Sequence, residues 1–150
     1  MTTSYLDKFK LDGKTAVVTG GLGILGKHFC TGLAEAGANV AIIDMDNKES
    51  DDFIYELKTQ FKIQAAYFKC DVSNPKEVDQ CIQKVVEKFG EINILLNNAG
   101  GKSHDIKACF APFEDYSFDI WKEILAVNLD GVFLMAQAVG RQMIKQKKGG

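Results

Sequence analysis

Apolar residues along this chain fall into short continuous runs that alternate with stretches in which they recur every three or four positions. The runs Thr-Ala-Val-Val-Thr at 15–19, Asn-Val-Ala-Ile-Ile at 39–43, Ala-Ala-Tyr-Phe-Lys at 65–69 and Ile-Asn-Ile-Leu-Leu at 92–96 are β-prone. Their lack of apolar-polar alternation suits strands covered on both faces. Between them, Leu25, Phe29, Leu33 and Ala36 keep helical spacing up to Gly37, and Phe53, Ile54, Leu57 and Phe61 form a second apolar stripe. The third helix is the best marked: Asn74 stands at the N-cap, Pro75 at the first position and Glu77 three residues after the cap. Val78, Cys81, Ile82, Val85, Val86 and Phe89 then carry the stripe to Gly90. After a loop-like stretch at 100–116, one long helix is predicted over residues 117–148, and Lys147 to Gly150 read as its end and a turn.

Strands alternating with helices of this length predict right-handed crossovers. The expected fold class is therefore α/β: a Rossmann-like, doubly wound parallel sheet in three layers (helix, sheet, helix), incomplete at its C-terminal side. Residues 1–150 read as a single domain, with no linker or repeat.

Composition narrows the function rather than the fold. With 46% hydrophobic residues the chain can build a core, and a net charge of −2 offers no field for a phosphate backbone, so nucleic acid is not expected as a partner. Cys30, Cys70, Cys81 and Cys109 form no CxxC pair and are read as reduced core thiols. His28 and His104 have no third ligand at metal spacing, so no metal is expected. The polar N-terminus lacks a signal-peptide core, and the most apolar window, residues 124–140, carries Asn128, Asp130 and Gln137. That window is read as a buried helix too short and too polar to span a bilayer, with Trp121 anchoring it on the sheet; a cytoplasmic protein without membrane partners is expected.

The chemistry starts at Thr19-Gly20-Gly21-Leu22-Gly23-Ile24-Leu25-Gly26, between a strand and a helix. Glycines there allow a tight turn and let backbone N–H groups and the helix N-terminus approach a pyrophosphate; a plain β-α connection is the alternative. Asp44 follows Gly26 by 18 residues at the end of the second strand, where an acid can accept hydrogen bonds from ribose hydroxyls. Asp71 either contacts a ligand or caps its own turn. Asn97 and Asn98 are either turn formers or a clamp at the ligand edge of the sheet. Asn128, an amide in an apolar helix, needs a partner, because an unpaired buried amide costs roughly 1–3 kcal/mol.

Taken together, these segments resemble the short-chain dehydrogenase/reductase family, from Lys14 onward. Thr19 to Gly26 corresponds to the family's nucleotide loop, Asp71 and Val72 to the pair at the adenine ring, Asn97-Asn98-Ala99-Gly100 to the signature after the fourth strand, and Asn128 to the asparagine of the catalytic tetrad. The glycine spacing, Gly20, Gly23 and Gly26, looks like the extended branch, whereas Asn-Asn-Ala-Gly is classical. The resemblance implies an oxidoreductase moving hydride between a nicotinamide and a carbonyl or secondary alcohol. Its cofactor residues would be Thr19, Gly20, Gly21, Gly23, Ile24, Leu25, Gly26, Asp44, Met45, Asp71, Val72, Asn98, Ala99 and Gly100, and Asn128 would bend its helix and hold a water of the proton relay. NAD is expected over NADP, since Asp44 would repel a 2′-phosphate. The family's tyrosine with a lysine four residues on is missing: Tyr5, Tyr55, Tyr67 and Tyr116 are followed at that spacing by Phe9, Thr59, Asp71 and Ile120.

The chain is thus expected to be a cofactor-binding half lacking the C-terminal catalytic part and inactive alone. A non-catalytic nucleotide-binding or assembly module is the alternative. The length of the 100–116 stretch looks like that of sugar-acid dehydrogenases, so a sugar acid or polyol is the expected small-molecule substrate class. The apolar circumference of the last helix, with the family's habit of pairing it, implies a homodimer or homotetramer.

Overall fold

The computed structural model describes residues 5–147. Its sheet has four parallel strands, β1 (Thr15–Thr19), β2 (Asn39–Asp44), β3 (Ala65–Lys69) and β4 (Ile94–Leu96), in the order β3-β2-β1-β4. In register, Val17 pairs with Ala41 on one side and Leu95 on the other, and Ile42 with Tyr67. Helices α1 (Ile24–Glu35) and α2 (Ser50–Phe61) cover one face, and α3 (Pro75–Phe89) and α5 (Gly131–Gln146) the other, with α4 (Phe118–Leu125) leading into α5.

Successive strand residues feed opposite faces, so two cores form. Val18, Val40 and Ile42 meet Cys30, Ala34, Phe53 and Leu57 on the first. Val17, Ala41 and Ile43 meet Val78, Val85, Met135 and Val139 on the second. This is why the strand sequences show no alternation: β1 is buried throughout and β2 at all but its two end residues. The chain moves from the first face to the second after β3, so β1 and β4 become neighbours whose following segments diverge, which opens a crevice at their carboxyl ends.

The expected α/β class and layers are present with the first three helices, and the element boundaries have local causes. Asn74 caps α3 by accepting from the N–H groups of Lys76 and Glu77, while Glu77 receives Asn74 Nδ2 and the N–H of Asp71. The fourth strand begins at Ile94 rather than 92. The Asn93 N–H still donates to the Thr15 carbonyl at 2.9 Å, but Asn93 Oδ1 takes the N–H of Thr15 at 2.8 Å and the Gln146 side chain holds both backbone groups of Ile92, so side chains supply the other partners there. A 3₁₀ turn at Tyr5–Phe9 occupies the polar leader, and two more, Ala108–Phe110 and Phe113–Asp115, lie within the long loop.

Five expectations about the last third of the chain need correction. The single long helix is interrupted by a π turn, Ala126–Asp130, in which the N–H of Gly131 reaches back five residues to the Ala126 carbonyl; its expected end at Lys148 and the Gly149-Gly150 turn lie outside the described residues. The Phe118–Gln146 run has 29 residues and a window of mean hydropathy 1.3, so by length and composition it is not too short or too polar to span a bilayer. Nor is it a buried helix, since 22% of that window is buried: Met135, Ala138 and Val139 face the sheet, while Leu129 and Phe133 point away from it. Trp121 is 49% exposed and does not anchor the helix on the sheet; with Phe113, Tyr116 and Phe118 it lines a surface hollow of about 350 Å³. All four cysteines are free, but Cys109 is half-buried on a 3₁₀ turn and not a core thiol.

Candidate functional site

At the carboxyl end of β1 the chain turns through Gly20, whose φ is +62°. A Cβ at Gly20 would stand 2.9 Å from Ala99 Cα, and one at Gly26 would stand 2.0 Å from the Gly20 carbonyl oxygen. No side chain fits either place. The first turn of α1 therefore lies directly on the loop, and the Gly23 N–H closes the turn onto the Gly20 carbonyl at 3.2 Å. Gly21 is pressed against Ile42, its N–H bonded to the Ile43 carbonyl at 3.2 Å. Ile24 and Leu25, at the helix start, are 86% and 64% exposed. A helix N-terminus, with its unpaired N–H groups and positive dipole end, thus faces open space above the sheet.

The segment after β4 is welded to this loop. Buried Thr19 accepts the N–H groups of Asn98 and Ala99 on one hydroxyl oxygen, at 3.0 and 2.9 Å. Asn98 Nδ2 donates in return to the carbonyls of Thr19 and Gly20, both at 3.1 Å. The amide at 98 is a clamp, then, and more than a turn former; Asn97 beside it is half-buried.

Asp44 ends β2 on the same rim. Its Oδ2 accepts the Leu22 N–H at 3.0 Å and its Oδ1 the Met45 N–H at 2.8 Å, tying the glycine loop to the second strand. Each oxygen keeps a second lone pair for a ligand hydroxyl. Tyr67, on β3, donates its hydroxyl to the Asp44 carbonyl at 3.1 Å, and burial followed by the nearby Asp44 charge raises its pKa. Of the lysines near this rim, Lys27 lies 2.6 Å from Glu49 and Lys48 lies 3.3 Å from Asp46, while exposed Lys69, at the end of β3, stands in register with Asp44. Glu49 is held below the usual carboxylate range by Lys27, and Asp46 by the Lys48 N–H.

Asp71 Oδ1 accepts both the N–H and the hydroxyl of Ser73, so the turn-capping reading of Asp71 is realised. Val72 is buried with its side chain in the core. Gly131 is the reason α5 can pass so close, since a Cβ there would stand 2.8 Å from Val72 Cγ2.

Asn128 lies in the π turn. It is exposed, contrary to the expected buried amide, yet well bonded. Its Nδ2 donates to the carbonyls of Gly101 and Ile124 at 2.8 and 3.0 Å, and its Oδ1 accepts the Gly101 N–H at 3.1 Å. Gly100 is tight against it: a Cβ there would stand 2.8 Å from Asn128 Oδ1, so the Asn128 side chain would have to shift. The structure therefore brings Thr19 to Gly26, Asp44, Met45 and Asn98 to Gly100 to one rim, with Asp71 and Val72 at the next strand end and Asn128 across the 100–101 segment. Among the described residues no group of three or more metal-ligating side chains occurs.

Sequence reasoning missed Tyr67, Gly131, Ser103 and Glu123. Ser103 is only 3% exposed although it lies in the long loop. Its hydroxyl donates to Glu123 Oε2 at 2.7 Å. Nothing in the spacing marks that pair, because its members are 20 positions apart and one lies in an irregular loop.

Comparison with known proteins places these features. Residues 14–150 match the short chain dehydrogenase family. A D-threitol dehydrogenase from Mycolicibacterium smegmatis is 36% identical over 141 residues, covering 94% of this chain and 52% of that protein. An NAD+-bound xylitol dehydrogenase structure superposes with a TM-score of 0.84 at 34% identity, covering 93% of this chain and 52% of that one. An NADPH-dependent 3-quinuclidinone reductase from Rhodotorula rubra superposes at 0.87 with 28% identity, over 99% and 54%. The chain spans about half the length of these relatives.

Proposed function

Because this chain belongs to the short chain dehydrogenase family, we propose that it is the nucleotide-binding half of an oxidoreductase that uses NAD to interconvert a secondary alcohol and a carbonyl on a polyol or sugar-derived substrate. The observation that carries the cofactor reading is the cradle at the end of β1, where the Gly20 and Gly26 positions exclude a Cβ and α1 presents its N-terminus. Such a cradle suits a pyrophosphate, whose oxygens take backbone N–H groups and the dipole's positive end. The polyol reading rests on the relatives that act on D-threitol and xylitol. The non-catalytic alternative is not favoured, since the relatives are dehydrogenases and reductases.

When bound, the nicotinamide supplies the hydride chemistry; the residues of this chain bind and orient. Ile24, Leu25 and the glycines would hold the pyrophosphate, with Thr19 fixing the loop's path through Asn98. Asp44 would accept from the ribose hydroxyls, with Met45 beside it. Asp71 and the Val72 backbone would border the adenine, and Asn98 to Gly100 would wall the nicotinamide side. Asn128, on a π turn that shifts the backbone pairing, would hold the water that passes a proton. The tyrosine, lysine and serine of the family's acid–base chemistry have no counterpart at the expected spacing in these residues.

The choice of NAD over NADP follows from charge. A 2′-phosphate at Asp44 would meet a carboxylate, and Lys27 and Lys48 are paired with Glu49 and Asp46; exposed Lys69, in register with Asp44, is a cation that works against this preference. Calorimetric titration of the intact enzyme with both cofactors checks this. Affinity for NAD at least tenfold higher is expected (about 1.4 kcal/mol), narrowed by Asp44→Ala; equal or tighter NADP binding overturns it.

A further inference from the structure

The loop that follows Gly100 is held to α4 by a second set of bonds, separate from those of Asn128. Glu123 Oε2 accepts the Ser103 hydroxyl at 2.7 Å, Oε1 accepts the His104 N–H at 3.0 Å, and His104 Nδ1 lies 2.9 Å from Oε2. The Ser103 oxygen then accepts the Asp105 N–H at 3.2 Å, so one carboxylate organises three consecutive residues. Two residues upstream, Asn128 grips both backbone groups of Gly101. Glu123 and Asn128 are five positions apart, a spacing that diverges on an α-helix; with the π turn between α4 and α5, both reach the same loop.

We propose that Glu123 is a positioning residue, which by holding Ser103 and His104 fixes the Gly101–Asp105 segment against α4 and so sets the register in which Asn128 meets Gly101. The proposal rests on the reading of Asn128 given above only for its effect on turnover. Burial supports it: a serine 3% exposed between the exposed Lys102 and His104 is an anchor whose hydroxyl has a partner. Electrostatics agrees. The N–H of His104, then the Ser103 hydroxyl and the imidazole, hold Glu123 down to about 2, and its hydrogen bond and charge raise His104 above its ordinary 6.5, with Asp105 adding to the rise.

The pH dependence follows in sign. A carboxylate with a lowered pKa contributes above its ordinary 4.5 and loses that contribution as pH falls toward 2; a histidine with a raised pKa contributes fully below 6.5 and loses it as pH rises through its raised value. The latch is tightest between pH 4.5 and 6.5. Above that range a neutral imidazole can still donate from Nδ1, so the loop loosens rather than detaches.

The experiment is NMR on the full chain without cofactor, following the His104 ring and the Gly101 amide from pH 5 to 9 with about one-unit steps. The His104 midpoint is expected above that of a free histidine, with the Gly101 amide titrating in step. In Glu123→Gln the midpoint falls back, and Gly101 hydrogen exchange quickens on the order of tenfold, while exchange in β1 stays unchanged and so excludes unfolding. Ser103→Ala should quicken Gly101 exchange with the His104 midpoint still raised. A Gly101 amide indifferent to His104 titration and to both substitutions overturns the proposal. In the intact enzyme, Glu123→Gln should lower kcat with the KM for cofactor unchanged. Quickened exchange with undiminished kcat upholds the positioning role and counts instead against the proposed role of Asn128.

Discussion

Thr19→Val isolates the joint between the two halves of the rim. The substitution keeps the branched shape and exchanges a hydroxyl for a methyl at a site 1% exposed. Two backbone N–H groups, those of Asn98 and Ala99, then lose the oxygen they share at 3.0 and 2.9 Å. An orphaned buried donor costs about 1–3 kcal/mol. Both donors are partly buried, so some water reaches them, and the lower part of the range applies to each: about 2–4 kcal/mol in total. With a urea m-value of about 2 kcal/mol/M, the unfolding midpoint should fall by roughly 1–2 M. Thr19→Ser is the control: it restores the shared acceptor and removes only a methyl group, at about 1 kcal/mol. The Asn98 side-chain bonds to Thr19 and Gly20 should weaken as the 98–99 backbone drifts, so NAD affinity should fall as well. Equilibrium urea unfolding of the full chain, followed by far-ultraviolet circular dichroism, measures the effect. A Val variant that unfolds within about 0.3 M of the wild type, or a Ser variant as damaged as Val, would show that the shared hydroxyl is not what joins the loop after β4 to the glycine turn.

Asn74→Ala removes an N-cap that accepts two N–H groups and should cost about 1 kcal/mol; an unchanged midpoint in the same assay would refute the cap. Leu129 and Phe133, 58% and 60% exposed on an apolar helix, should be covered by a second copy. Sedimentation is expected to show a homo-oligomer that Phe133→Glu dissociates, and a monomeric wild type at micromolar concentration overturns this. A chain of these 150 residues, without the Tyr-x-x-x-Lys pair, should show no dehydrogenase turnover with polyols or sugar acids. Measurable turnover near that of a longer form would refute the assignment of the acid–base chemistry, which is typically worth about 10²–10⁴-fold.

The sequence by itself determined the layering and the location of the rim. Apolar runs at 15–19 and 39–43 call for cover on both faces, and the stripes of α2 and α3 supply it as read; the stripe read for α1 is one position off, since Leu25 and Phe29 are exposed and Gly26, Cys30 and Ala34 face the sheet. Glycines between the first strand and helix, an acid at the end of the second strand and an Asn-Asn-Ala-Gly after the fourth are local signals: each depends on neighbours within a few positions. What only the tertiary structure decided are the bonds between distant segments. That Thr19 and Asn98 clamp each other across 79 positions, that Tyr67 steadies Asp44, and that Asn93 and Gln146 shorten β4 follow from strand order and side-chain direction, which no local period encodes. The last helix shows the limit most plainly. Its composition reads as a buried rod, but hydropathy cannot tell which apolar residues face the sheet, and the π turn at Asn128, the exposure of Trp121 and the grip of Glu123 on Ser103 and His104 arise only once a single face has been chosen for packing.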